Sequence, residues 1–143
     1  MNGKFVNTKY ASGAYLESLL SFEERGKCPF CPEGLEELGK PILKRLGSWI
    51  LTKNDYPYKN AKHHFLAIPE KHKHKLEQLN GRDMLTVVQL ALWAKQEYKI
   101  NGGGLLLRYG YDSGVTIKHF HVHLIVPDFD EKGNALPVYP PIG

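Results

Sequence analysis

Long apolar runs are missing from this 143-residue sequence, and so are the cysteines that a stapled fold would need. The most apolar stretch, Val87 to Trp93, is interrupted by Gln89 and falls far short of the ~20 residues that cross a bilayer. Met1 to Leu20 lacks an apolar segment followed by a small-residue cleavage site, so no signal peptide is expected and the sequence points to the cytoplasm. The only two cysteines stand three positions apart, too close to tie distant segments together, which excludes a disulfide scaffold. No G-x-x-x-x-G-K-S/T loop is present, and Gly102-Gly103-Gly104 leads into a strand-like run rather than a helix, so no phosphate loop is expected. A dinucleotide-binding fingerprint, internal repeats and low-complexity segments are likewise absent. The net charge of +4 suits a small anionic ligand, yet it is too mild and too dispersed to indicate nucleic acid. What is left, 42% hydrophobic and 24% charged, reads as one ordinary globular domain over residues 1–143.

The most informative stretch is His119-Phe120-His121-Val122-His123-Leu124-Ile125. Histidine alternates with bulky apolar residues, the period of a half-buried strand. The three imidazoles then share one face, and Phe120, Val122 and Leu124 press the other into a core. Same-face neighbours are about 6.6 Å apart, a spacing at which three imidazoles reach one phosphate chain or one metal. A sheet face gains no stability from crowding three ionisable groups, so this pattern reads as a site.

Along the rest of the chain, residues 1–12 are polar and small and are expected to form a loosely held tail. Ser12 to Glu24 carries a helical stripe closed by Gly26. Cys28-Pro29-Phe30-Cys31 follows, and C-x-x-C suits a zinc knuckle, a redox pair or two unrelated thiols. Pro32-Glu33-Gly34 argues against a redox motif with its following helix. Zinc requires four ligands, of which the cysteines supply two, and the others would come from the seven histidines. Pro41–Leu46 and Trp49–Lys53 read as a hairpin about Gly47-Ser48, and His63 to Ile68 as a strand stopped by Pro69. Arg82 to Tyr98 is the most clearly patterned helix, with Leu85, Val88, Ala91, Leu92 and Tyr98 at its apolar positions. Leu105 to Tyr109 is a strand that turns back into the histidine strand, and residues 128–143, rich in proline, are expected to be extended. Strands and helices fall in blocks. The fold class is therefore α+β, a mostly antiparallel sheet with one long and one short helix packed on it.

H-x-H-x-H followed by two apolar residues resembles the signature of the histidine triad (HIT) family of nucleotide hydrolases and transferases. Three further features support the resemblance: the Cys28-Pro29-Phe30-Cys31 knuckle, the segment from His64 to His72, which is similar to the family's H-φ-L-φ-I-P-K-x-H, and the lead-in Gly114-Val115-Thr116-Ile117-Lys118. Together they span roughly Cys28 to Pro127. The resemblance implies a HIT-like domain with a structural zinc held by Cys28, Cys31, His72 and His119, and no organic cofactor. It implies that His121 is the nucleophile that forms a nucleotidyl-histidine on the α-phosphate. By the same likeness His123, His64 and Thr116 contact the phosphate, and Asn54 stands near the position that reads the ribose. A nucleotide substrate, most simply one releasing AMP, and a homodimer built on the long helix and adjacent strand follow from the family, with no membrane or nucleic-acid partner.

Two positions depart from the family pattern. Val115 replaces a frequent glutamine, removing a side-chain amide from the leaving-group side. Arg108 stands where several members carry asparagine, and it suits an extra phosphate or anionic acceptor as well as a plain surface position. The knuckle and Tyr56-Pro57-Tyr58 resemble the diadenosine tetraphosphate phosphorylase branch, whereas the C-terminal Val138 to Gly143 is similar to the phosphoramidase branch. Other readings stay open: removal of AMP from adenylated DNA ends, a non-catalytic nucleotide-binding module, and a triad that binds a catalytic metal.

Overall fold

A computed structural model describes residues 1–143, with every side chain except that of Tyr111. Its centre is a five-stranded sheet in the order β1-β2-β3-β5-β4, with every neighbouring pair antiparallel. The strands are β1 (Lys44–Leu46), β2 (Trp49–Lys53), β3 (Ala61–Pro69), β4 (Gly104–Leu107) and β5 (Val122–Pro127). Three helices accompany them: α1 (Gly13–Glu24), α2 (Pro32–Glu37) and α3 (Gly81–Glu97). No helix among the described residues is long and apolar enough to cross a membrane.

The alternation of side chains across the sheet creates two cores. Trp49, Leu51, Phe65, Ala67, Val122 and Leu124 face α3 and pack on Val87, Leu90 and Ala94. The intervening residues Ile50, Leu66 and Ile68 face the other way, onto Leu19 of α1, Leu35 of α2 and the cysteine knuckle. His64 and His123 belong to this second face by the same period of two. Helix α3 is fixed by a capping box: the Asn80 side chain accepts from the Asp83 N–H and the Asp83 carboxylate accepts from the Asn80 N–H, both at 3.0 Å. The same buried carboxylate accepts from Trp49 Nε1 at 2.9 Å and pairs with Lys73, which ties the helix start to β2.

The structure corrects several expectations. The α3 helix forms over nearly the expected span, yet its buried side is Asp83, Val87, Leu90 and Ala94, while Leu85, Val88 and Leu92 are 58%, 47% and 52% exposed. The apolar positions therefore make two stripes, and the sequence pattern followed the outer one. A third helix, α2, follows the knuckle, because Pro32 at its first position needs no N–H there. Gly34 lets it close down, since a Cβ at this residue would lie 2.3 Å from the Cys28 carbonyl oxygen. The histidine strand starts later than expected, at Val122, so His119 and His121 lie on its lead-in.

Residues 1–12, expected to be a loose tail, are tied down. The Glu23 carboxylate of α1 accepts the backbone N–H groups of Lys4, Phe5 and Val6 at 2.5, 2.7 and 3.1 Å. Asn7 N–H donates to Thr116 O at 2.7 Å, Lys118 N–H donates to Phe5 O at 2.8 Å, and Val6 is fully buried. This arm runs antiparallel to the lead-in as a short added ribbon. Polarity hid it, because its anchoring is done by backbone groups rather than by an apolar stripe.

Candidate active site

The lead-in begins at Gly114, whose φ of +74° is a left-handed conformation that favours glycine. From there Thr116 to Lys118 follow the N-terminal arm, and the chain delivers His119 to the knuckle. His119 Nε2–H donates to the Pro69 carbonyl at 2.6 Å, so its Nδ1 carries a lone pair. That Nδ1 lies 3.5 Å from Cys28 Sγ and 3.6 Å from Cys31 Sγ, and His72 Nδ1 is 3.6 Å from Cys31 Sγ. All four donor atoms fall within 4.8 Å of one another. Tetrahedral zinc with its usual bond lengths requires S···N edges of about 3.6 Å, so the donor set fits such an ion in chemistry and in spacing. Burial, with the neighbouring Cys31 thiol adding to it, pushes the Cys28 thiol up to about 12, and a bound cation is what deprotonates such a thiol. The Pro69 carbonyl supplies the outer hydrogen bond that orients a histidine ligand.

Two residues on, His121 turns to the opposite side of the backbone from Phe120. Its Nδ1–H donates to the His119 carbonyl at 2.8 Å, which leaves Nε2 as an unprotonated lone pair. The ring is buried, with Phe30 packed edge-on at 5.1 Å. Burial, with the charge of Arg108 contributing, lowers its pKa to about 4, so the ring is neutral at pH 7.

The third histidine is set by a chain of bonds from β3. The Tyr58 backbone N–H donates to His64 Nδ1 at 3.2 Å, which fixes the proton of neutral His64 on Nε2. That nitrogen is 2.8 Å from His123 Nδ1 and donates to it, so His123 carries its own proton on Nε2. Burial depresses both, His64 to about 4 and His123 to about 2. Arg108 Nη2 stands 3.4 Å from His123 Nε2, and its Nη1 donates to the Pro141 carbonyl at 3.1 Å. Arg108 Nε is buried and has no partner among the described residues. An imidazole N–H and a guanidinium thus converge on one point beside His121, an arrangement complementary to an anionic oxygen.

The structure therefore brings His64, His121, His123 and Arg108 together, and gathers Cys28, Cys31, His72 and His119 into a separate cluster behind them. Asn54 lies at the edge of the first group, its amide nitrogen 3.2 Å from His64 Nε2. Thr116 sits on the lead-in, half-buried, and its hydroxyl has no hydrogen-bond partner among the described residues. Two residues escaped the sequence reading. Tyr58 stacks on His123 at 5.7 Å and orients His64, a role visible in sequence only as part of an aromatic loop. Lys40 has a side chain only 5% exposed, held by Asp55 at 2.8 Å and by the Lys53 carbonyl, and nothing in its sequence neighbourhood signals this.

Two cavities flank the triad. A space of about 140 Å³ lies between α1 and the 54–56 loop, walled by Tyr15, Leu19, Phe22, Phe30 and Tyr56 with Asn54 at its edge. A larger one of about 320 Å³ opens on His121 from the other side, between the N-terminal arm and residues 74–77.

Comparison with known proteins agrees with this geometry. A family model described as "Scavenger mRNA decapping enzyme C-term binding" matches residues 27–137. An uncharacterized HIT-like protein of Chlamydia trachomatis is 30% identical over 82 residues, covering 54% of this chain and 72% of that protein. The chain belongs to the histidine triad family. Among solved HIT structures, a HIT family hydrolase from Clostridium thermocellum is 26% identical, with a TM-score of 0.57 over 73% of this chain and 92% of that one. A histidine triad nucleotide-binding protein from Sulfolobus tokodaii, 23% identical, shares the fold with a TM-score of 0.57 over 78% of each chain. The HIT fold thus accounts for the sheet and the triad, whereas the N-terminal arm and α1 precede the residues that the family model matches.

Proposed function

We propose that this HIT protein is a nucleotidyl hydrolase or transferase that forms a covalent intermediate on His121. The observation that carries this reading is the His121 Nδ1–H bond to the His119 carbonyl, which aims a neutral Nε2 lone pair outward beside an anion-complementary point. The lone pair attacks the α-phosphorus of a nucleotide. The bond from phosphorus to the leaving group breaks, and that group departs with its electron pair, its developing charge accepting a hydrogen bond from His123 Nε2–H. The imidazolium formed at His121 is stabilised by the same carbonyl that accepts its Nδ1–H. Water or another acceptor then attacks phosphorus, the P–N bond breaks, and nucleoside monophosphate is released. Arg108 and the Thr116 hydroxyl offset charge that builds on the phosphate oxygens.

The smaller cavity takes the nucleoside, with its base against the paired Tyr15 and Tyr56 rings and its ribose at Asn54, and adenine is the favoured base. Cys28, Cys31, His72 and His119 hold a structural zinc, which pins the knuckle and the loop after β3 to the lead-in and takes no part in the reaction. A knuckle that binds metal only with reduced thiols supports a cytoplasmic location. The exposed Leu85, Val88 and Leu92 of α3, together with the open edge of β4, make the homodimer interface.

The experiment is product analysis by chromatography after incubation with an adenosine phosphoramidate, diadenosine tetraphosphate and, given the wording of the matched family, an mRNA cap dinucleotide. Each is run with and without inorganic phosphate and beside His121→Ala. Nucleoside monophosphate formed only by the wild type supports hydrolysis, and ADP plus ATP formed from the tetraphosphate only with phosphate supports phosphorolysis. Equal inertness of wild type and variant, with the fold intact, refutes nucleotidyl transfer on these substrates.

A further inference from the structure

The larger cavity is not needed to hold a nucleoside monophosphate, yet it opens on the nucleophile. Its lining includes Lys4, Lys75, Arg108 and Lys118, against Glu77 as the one carboxylate. These cations come from four separate parts of the chain: the N-terminal arm, the loop after β3, the end of β4 and the lead-in. Tyr109, Val115 and Phe120 give it apolar walls. Arg108 bridges this cavity to the triad, since its Nη2 lies 3.4 Å from His123 Nε2 while its buried Nε has no partner among the described residues. Charge of one sign gathered at that density beside a reactive histidine is complementary to several phosphate charges, and poorly matched to a small amine or to water.

Lys4 reaches the cavity through a latch. Three successive backbone N–H groups of the arm are taken by Glu23, and Gly3 lets that carboxylate come close, since a Cβ there would meet it at 2.4 Å and push the Glu23 side chain aside. The Lys118 ammonium donates to the Gly3 carbonyl and the Lys118 backbone N–H to the Phe5 carbonyl, so the arm and lead-in are held in one register. The arm lies outside residues 27–137, so this wall is not part of what the family model matches.

We propose that this cavity is a second anion-binding subsite, which holds the phosphate chain of a polyanionic leaving group, with Lys4 and Lys75 as specificity-determining residues and Glu23 as the residue that positions Lys4. The inference rests on the nucleotidyl-transfer reading for its catalytic consequence, although binding at the cavity does not depend on turnover.

The test has two arms. Inorganic tripolyphosphate is titrated by calorimetry into wild type, the Lys4→Ala/Lys75→Ala double variant and Glu23→Ala. In parallel, kcat/KM is measured for diadenosine tetraphosphate and for an adenosine phosphoramidate. Tripolyphosphate binding is expected to weaken about tenfold in the double variant, and the tetraphosphate-to-phosphoramidate ratio of kcat/KM to fall by a similar factor. Glu23→Ala is expected to lower the same ratio, although Glu23 does not line the cavity; a general loss of stability would depress both substrates alike and leave the ratio in place. Tripolyphosphate that fails to bind wild type, or binds all three proteins equally, overturns the subsite. If wild type binds tripolyphosphate and the double variant does not, while neither substrate is turned over, the catalytic reading falls and the anion site stands.

Discussion

With zinc held as proposed by Cys28, Cys31, His72 and His119, stripping the ion has a consequence for stability whose size follows from the structure. The cluster joins three separate segments: the knuckle after α1 supplies both thiols, the loop beyond β3 supplies His72, and the lead-in supplies His119. None of these segments is close to its partners in the unfolded chain, so a zinc ion held here would bind the folded state selectively and its binding energy would become folding energy. At free zinc a thousandfold above the dissociation constant, linkage gives about 4.1 kcal/mol. Unfolding entropy of about 2.1 cal/mol/K per residue over 143 residues is about 0.30 kcal/mol/K. Stripping the ion is therefore expected to lower Tm by about 14 °C. The assay is scanning calorimetry with metal content measured by elemental mass spectrometry, before and after chelation and after zinc is restored. His72→Ala removes the most exposed ligand and leaves the core untouched; it is expected to lose most of the bound zinc and most of the same Tm increment. A metal-free protein whose melting responds neither to zinc nor to chelator would refute the assignment.

Further consequences follow for the site and the surface. Thr116→Ala removes a hydroxyl that has no other partner among the described residues, and is expected to lower kcat by roughly 10²-fold with a smaller change in KM, read from steady-state kinetics. Burial holds His64 at about 4, below the ~6.5 of an unfolded histidine. Between those values the unfolded chain takes up a proton that the folded one refuses, so this contribution is complete above about pH 6.5 and is lost as pH falls toward 4. Urea midpoints at pH 5 should lie below those at pH 7.5, and His64→Phe should flatten the dependence; an unchanged slope would contradict the burial argument. Val88→Glu/Leu92→Glu places two charges on the exposed α3 stripe and is expected to convert a sedimenting dimer into monomer, whereas a wild type that already sediments as monomer would refute the interface.

The sheet, the long helix and the reactive strand were legible in the sequence because each carries a period that physical geometry imposes. Val122, Leu124 and the intervening histidines alternate because a strand has two faces, and the alternation survives on the lead-in even though the ladder begins only at Val122. The Cys-x-x-Cys spacing announced two thiol donors, and the structure brings the His72 and His119 nitrogens beside them. Periodicity misled at α3, where an outward stripe of Leu85, Val88 and Leu92 is as apolar as the inward one of Val87, Leu90 and Ala94. Hydropathy separates water from non-water, not a domain core from a surface awaiting a partner. The arm was invisible for another reason: Glu23 holds three backbone N–H groups, and a backbone donor leaves no trace in residue type. Arg108 read equally well as a surface residue until the fold set it beside His123.

The measurement that bears most directly on the proposed nucleotidyl transfer is intact-protein mass spectrometry of the protein quenched within a first turnover on an adenosine phosphoramidate. The account predicts an adduct with the mass of one AMP moiety, stable when the quench avoids acid, mapped by peptide analysis to His121 and absent from His121→Ala. Turnover to AMP with no adduct at any quench time, or with the adduct on another residue, would contradict it.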